Sequence, residues 1–165
     1  MIRERWIGFV LACLLVFASA SATAGDALTI ASPVDFKAGI MVSDAVKAEC
    51  ELLTKVPMYI KQFAEKTSSV KLAEGSIGKK GRVLRVTIED VLVSGFGGPK
   101  ALTIAGSLRE NGKLIATITA RRTTMGGPFG AFTGVCGLLS RCAKTLGKDL
   151  AEWLEAPAMD VVKTN

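Results

Sequence analysis

The sequence predicts an α+β domain. It reads as a two-layer sandwich in which a mostly antiparallel sheet of four strands, or slightly more, carries two helices on one face. Three observations lead there. Period-two alternation of apolar and polar residues recurs along the chain, an Asn-Gly pair stands between two such stretches, and two other stretches repeat apolar residues at helical spacing. The elements come in the order strand, helix, three meandering strands, helix. Two helices on one face of such a sheet bury the apolar side of both layers.

A leader precedes the domain. Arg3 and Arg5 give a basic start, and Ile7 to Phe17 is an apolar run of about 11 residues. Ala18-Ser19-Ala20-Ser21-Ala22-Thr23-Ala24 then offers several A-x-A frames, so residues 1–24 read as a signal peptide cut after Ala24. The run is about half the roughly 20 apolar residues that a membrane-spanning helix needs. Val10-Leu11-Ala12-Cys13 loosely resembles a lipobox, but a cut there would leave Leu14 to Phe17 on the mature end, so Cys13 reads as filler. The expected location is the periplasm, with no membrane-spanning segment in the mature chain.

Residues 25–157 read as one domain. Short strands are expected near Ile30 and at Ile40 to Val42. Val46, Ala48, Cys50 and Leu52 alternate with Lys47, Glu49 and Glu51, which predicts the first main strand. Thr54 is the expected N-cap of the first helix, with Pro57 in its opening turn and Val56, Ile60 and Phe63 on one face. Thr67 to Gly81 reads as a polar connector. Leu84, Val86 and Ile88 mark the second strand, and Leu102, Ile104, Gly106 and Leu108 the third. Asn111-Gly112 fits a type I′ turn, so the fourth strand, from Lys113 to about Thr123, pairs antiparallel with the third. Leu108 is expected opposite Ile115. A glycine-rich loop from Met125 leads to the last helix, with Thr133 as its expected N-cap. Leu139, Cys142, Leu146, Leu150 and Trp153 share one face, and Pro157 ends it. Residues 158–165 read as a loose tail.

The composition narrows function more by exclusion than by motif. The chain has no histidine. That removes the commonest general base near neutral pH, the Ser-His-Asp and Cys-His arrangements, and every zinc site that uses histidine. Three cysteines remain after the leader, too few for a four-thiolate zinc site, and no metal or cofactor is expected. Glu89 and Asp90 adjoin on a strand and are expected on opposite faces, while Glu49 and Glu51 share a wet face. Gly126 to Gly137 lacks the Gly-Lys-Ser/Thr ending of a phosphate loop, and Gly147-Lys148-Asp149 falls within a helix. The formal charge of +6 falls by one when the leader leaves, which suits an anionic envelope surface but not nucleic acid.

Three groups of residues stand out. The second and fourth strands run the same way, so Ser94 to Lys100 and Gly126 to Phe132 meet at one end. Phe96, Gly97, Lys100, Phe129 and Phe132 then form a candidate binding edge, or else fold back and cap the core. Lys79, Lys80, Arg82 and Arg85 form the densest basic patch, for a headgroup or polymer or simply for solubility. Among Cys50, Cys136 and Cys142, one bridge is expected, from Cys50 to Cys136 or Cys142. Closing such a loop of roughly 90 residues stabilises the fold by about 4 kcal/mol.

Val46-Lys47-Ala48-Glu49-Cys50-Glu51-Leu52, Leu84-Arg85-Val86-Thr87-Ile88, Asn111-Gly112-Lys113-Leu114 and the closing Trp153-Leu154 together resemble small bacterial envelope proteins, many of them lipoproteins, grouped as domains of unknown function. The resemblance implies a periplasmic location and no assigned activity. The expectation is therefore a non-catalytic exported protein that binds an unknown envelope protein or an anionic envelope surface. The alternatives are a carrier of a lipid or small hydrophobic ligand, or a histidine-independent hydrolase.

Overall fold

The structure, a computed structural model, describes residues 27–75, 77–95, 97–125 and 130–165, the first three residues of the last segment by backbone alone. The expected signal peptide lies outside them. The described chain is α+β, with seven strands and three helices. The strands are β1 (Leu28–Ala31), β2 (Asp35–Phe36), β3 (Val70–Ala73), β4 (Arg82–Val93), β5 (Lys100–Glu110), β6 (Lys113–Thr124) and β7 (Val161–Lys163). The helices are α1 (Asp44–Glu49), α2 (Leu52–Ala64) and α3 (Gly130–Glu155). Six strands follow the order β3-β1-β4-β5-β6-β7, and β2 pairs with β4 beyond β1.

The central meander β4-β5-β6 is antiparallel, as expected. Each flanking pair is parallel: β1 with β3 and β4, β2 with β4, and β7 with β6. The sheet is therefore mixed, and larger than four strands. Two segments read as irregular supply its edges. The connector after α2 holds β3, and the residues expected to be a loose tail hold β7. That end is further fixed by Asn165, whose amide bonds both the N–H and the C=O of Thr123 at 2.8 and 3.0 Å.

The first main strand is absent. Val46 to Leu52 instead forms α1 and the start of α2. Ser43 caps α1 by accepting from the Val46 N–H, and Asp44 sits in its first turn, where a carboxylate suits the helix dipole. Val46 and Cys50 are buried while Ala48, between them, is exposed. The buried period is thus four, and seven residues are too few to separate that from two. Ile40 to Val42 is also not a strand. β2 lies earlier, at Asp35–Phe36.

α2 begins at Leu52, two residues before the expected cap at Thr54, which places Pro57 inside the helix. Proline brings no N–H, so the carbonyl of Leu53 loses its usual helical donor. The N–H of Val34 takes that place at 2.9 Å and ties α2 to the start of the sheet. α2 and α3 pack on one another, α3 also lies on β5 and β6, and α2 reaches β1 and β3. Their approach is close at Gly147, where a side-chain carbon would stand 2.8 Å from the Tyr59 carbonyl carbon. The expected apolar face of α3 is correct, since Leu139, Cys142, Leu146, Leu150 and Trp153 are all buried. Gly134, with φ 68°, interrupts its first turns just after Thr133.

In the hairpin, Asn111 and Gly112 take the positive φ values, 50° and 84°, that the two-residue turn requires. A bulge next to it shifts the register by one, so Leu108 faces Ala116 instead of Ile115. A second bulge, between Ile88 and Asp90 on β4, leaves Ile88 and Val91 both buried. Glu89 and Asp90 both stay outside the core instead of parting to opposite faces.

Candidate binding surface

The strand ends that lead into the two glycine-rich stretches lie at one end of the sheet. Val93 pairs with Lys100, and Lys100 with Thr124, so the ends of β4 and β6 flank the start of β5. Leu92, Val93 and Met125 are exposed apolar residues at this end. Phe96 and Phe129 lie outside the described residues, as does the Phe132 side chain. Gly97 takes a positive φ within the β4–β5 turn. Lys100 does not project to a ligand. It is 4% exposed, and its Nζ donates to the carbonyl oxygens of Ser94, Gly95 and Gly98 at 2.7, 3.1 and 2.8 Å. All three ammonium protons are used in bracing the turn from within.

The cysteines settle as one bridge and one free thiol. Cys50 joins Cys136, which closes a separation of 86 residues and fixes the α1–α2 junction to the first part of α3. Cys142 is free and buried, with its thiol directed at the Lys100 carbonyl oxygen at 3.8 Å. Burial raises its pKa. It is a poor nucleophile in that state.

Several carboxylates are held in separate ion pairs. Glu89 meets Lys37, and Asp90 meets Arg121 at 3.1 Å. Asp149, in the stretch compared with a phosphate loop, takes a two-pronged bond from Arg122: Nε to Oδ2 at 2.6 Å and Nη2 to Oδ1 at 2.7 Å. That bond, together with the field of Asp149, raises the Arg122 pKa against the opposing effect of burial. Among the described residues no group of histidine, cysteine, aspartate or glutamate could hold a metal ion.

The basic patch divides. Lys79 and Arg85 line a cavity of about 450 Å³ together with Arg109, over a floor that includes Val83 and Ile77. Lys80 and Arg82 are not among its lining residues. The burial of Leu84, Val86, Leu108 and Gly106 on alternate positions sends Arg85 and Arg109 outward on the same face. Arg85 pairs with Ser107 across the strands, so Arg109 is its diagonal neighbour. The Arg109 guanidinium donates to the Gly112 carbonyl oxygen at 3.1 Å, and the Lys79 stem passes beside Gly112. Among the described residues no carboxylate forms an ion pair with any of the three.

Arg85 also borders a second, open groove of about 370 Å³ across β4, β5, β6 and β7. Its floor places Ala105 and Gly106 among Thr87, Ser107, Thr117 and Thr119, and Val161 and Val162 border it on the β7 side. Asp160 stands at the β7 end, bonded to the Thr117 hydroxyl at 3.0 Å. The groove is thus positive on its β4 side, at Arg85, and negative on its β7 side, at Asp160. Arg109 and the four hydroxyls were missed by reading the sequence in segments. The signal was the outward set of the alternation, Arg85-x-Thr87, Ser107-x-Arg109 and Thr117-x-Thr119, which converges only in the paired register.

No family model and no curated protein matches the chain. Solved structures share its fold. An uncharacterised protein matches with a TM-score of 0.57 at 13% identity, over 79% of this chain and 93% of that one. A hypothetical protein of Chlamydia trachomatis gives 0.54 at 8% identity, over 81% and 98%. A Xanthomonas campestris protein of the family DUF330 gives 0.52 at 10% identity, over 79% and 83%. At these identities the likeness is one of fold. On that level the chain is similar to bacterial proteins of unknown function, among them a member of a domain-of-unknown-function family.

Proposed function

We propose that the mature chain is an exported, non-catalytic protein of the bacterial cell envelope, built in two layers, that binds an envelope component on the sheet face turned away from its helices. The observation that carries this reading is the open groove bordered by the hydroxyls of Thr87, Ser107, Thr117 and Thr119, continuing at Arg85 into the basic cavity. A free sheet face of small hydroxyl side chains offers many hydrogen bonds and no bulk in the way of a ligand. Export is supported by the leader and by the Cys50–Cys136 bridge, which belongs to an oxidising compartment. A non-catalytic role is supported by the lack of histidine and by the pairing of Glu89, Asp90 and Asp149 with basic residues.

The test is a photo-crosslinking side chain placed in living cells at Thr119, in the groove, or at Glu65, away from it. Crosslinks to an envelope component from Thr119 but not from Glu65 support the reading. Equal yields from both, or none from Thr119, refute it. The same preparation gives the compartment. With free thiols blocked during unfolding and without reduction, the intact mass is expected to begin at Gly25 and carry one blocked cysteine. A full-length mass from the cytoplasm contradicts export.

A further inference from the structure

We propose that Lys79, Arg85 and Arg109 form an anion site for a phosphate ester of a polyol, whose hydroxyl-bearing part extends along the adjoining groove. This rests on the reading of the uncovered sheet face given above and names the chemistry that the face would recognise.

Three cations border one cavity, and the two guanidiniums are diagonal neighbours on adjacent strands. Like charges so placed repel, and no carboxylate pairs with them among the described residues. A phosphate group relieves that repulsion. It also accepts the several N–H donors that guanidiniums present in a planar fork, which makes arginine the residue suited to it. The turn holds the donors in place: Arg109 is tethered to the Gly112 carbonyl oxygen, and the Lys79 stem lies against the same glycine.

The groove sets the rest of the ligand. From Arg85 its floor passes Thr87 and Ser107 to Thr117 and Thr119; the Thr117 hydroxyl is engaged with Asp160, and the other three can both donate and accept. The groove has no aromatic lining and is open to solvent, and its apolar part, Val161 and Val162, lies on the β7 side, so it does not enclose an acyl chain. A polyol fits. The Asp160 carboxylate on the far side can accept from a ligand hydroxyl but would repel a second anion, which orients the ligand with its phosphate toward Arg85. Two sources share this chemistry: a phosphorylated glycan and the glycerophosphate headgroup of a lipid.

The experiment uses the exported, disulfide-bonded protein at low ionic strength. It is titrated by calorimetry with inorganic phosphate and glucose 1-phosphate, and by co-sedimentation with phosphatidylglycerol vesicles against phosphatidylcholine vesicles. Saturable binding in at least one arm is expected, weakening as salt is added. Arg85→Gln and Arg109→Gln should each lower it about tenfold, the scale of one lost charge-assisted bond. Lys79→Ala, on a surface loop, serves where Arg109→Gln loosens the hairpin, and melting temperatures check the fold of each variant. Binding of glucose 1-phosphate in excess of phosphate, reduced by Thr119→Val, assigns the glycan source. Binding confined to phosphatidylglycerol vesicles assigns the headgroup. No saturable binding in any arm overturns the site, and so does binding that the three substitutions leave unchanged, or an equal response to gluconate. If the phosphate arms fail while the Thr119 crosslinks persist, the anion site falls and the binding face stands. If both fail, both fall.

Discussion

Single residues here show how polar groups are kept from the solvent without becoming a reactive site. Asp149 is 6% exposed and holds Arg122 by two bonds, with Lys163 bonded to its backbone carbonyl oxygen at 3.3 Å. Removing one member of such a pair leaves the other charge partly buried and unmatched. Asp149→Ala is expected to lower stability by about 2–3 kcal/mol, read from the midpoint of urea unfolding. A loss below about 0.5 kcal/mol, the range of an ordinary surface substitution, would contradict this account. Cys142 gives a pH dependence. Burial raises its pKa above the ordinary thiol value of 9.0, so in the folded state the thiol stays protonated at a pH where the unfolded chain has lost that proton. Its contribution is full below the unfolded pKa and is lost as pH rises toward the folded one. Wild type should therefore lose more stability than Cys142→Ala between about pH 8 and pH 10.5. Parallel curves for the two proteins would remove the burial argument.

At the scale of elements, the crossing of α2 and α3 depends on one position. A side-chain carbon at Gly147 would meet the backbone of Tyr59 and Ile60, and backbone cannot rotate aside. Gly147→Ala should cost about 3 kcal/mol, even though alanine is the better helix former, with a matching fall in the unfolding midpoint. A gain in stability would show that the helices can part without loss. The elements also show which parts of the fold were legible. The meander β4-β5-β6 was readable because its alternation is long and Asn111-Gly112 fixes a turn. The face of α3 was readable because Leu139 to Trp153 spans four turns. The segment Val46 to Leu52 was misread because Val46 and Cys50 satisfy a period of two and of four alike. The Ser43 cap, which decides the matter, lies outside that window. β3 and β7 are too short to show a period, and each exists through its pairing with a neighbour. Bulges defeated counting from the turn, since each inserts a residue that no local pattern announces.

For the whole molecule, the Cys50–Cys136 bridge joins the α1–α2 junction to the first part of α3. Cys136→Ser is expected to lower stability by about 4 kcal/mol through loop entropy, with m-values showing a less compact unfolded state. An unchanged midpoint would mean that the bridge does not form in the native protein. The same overall view separates the two candidate surfaces. The basic patch was visible as a cluster in sequence, but the full set that shares its cavity was not. Lys79 and Arg85 gain Arg109 only through the β4–β5 register, and Lys80 and Arg82 are left aside. At the glycine-rich end, Lys100 turned out to be a brace for its own loop, a role that exposed or buried state alone decides. In the proposed function the hydroxyl groove and its basic end, and not the glycine and phenylalanine edge, contact the envelope. The most direct measurement is binding of the oxidised protein to isolated envelope fragments, comparing wild type, Ala105→Trp to fill the groove, and Phe96→Ser, Phe129→Ser and Phe132→Ser combined. Loss of binding in Ala105→Trp with retention in the triple variant is the result predicted. Retention in Ala105→Trp with loss in the triple variant would contradict it and return the function to the loops.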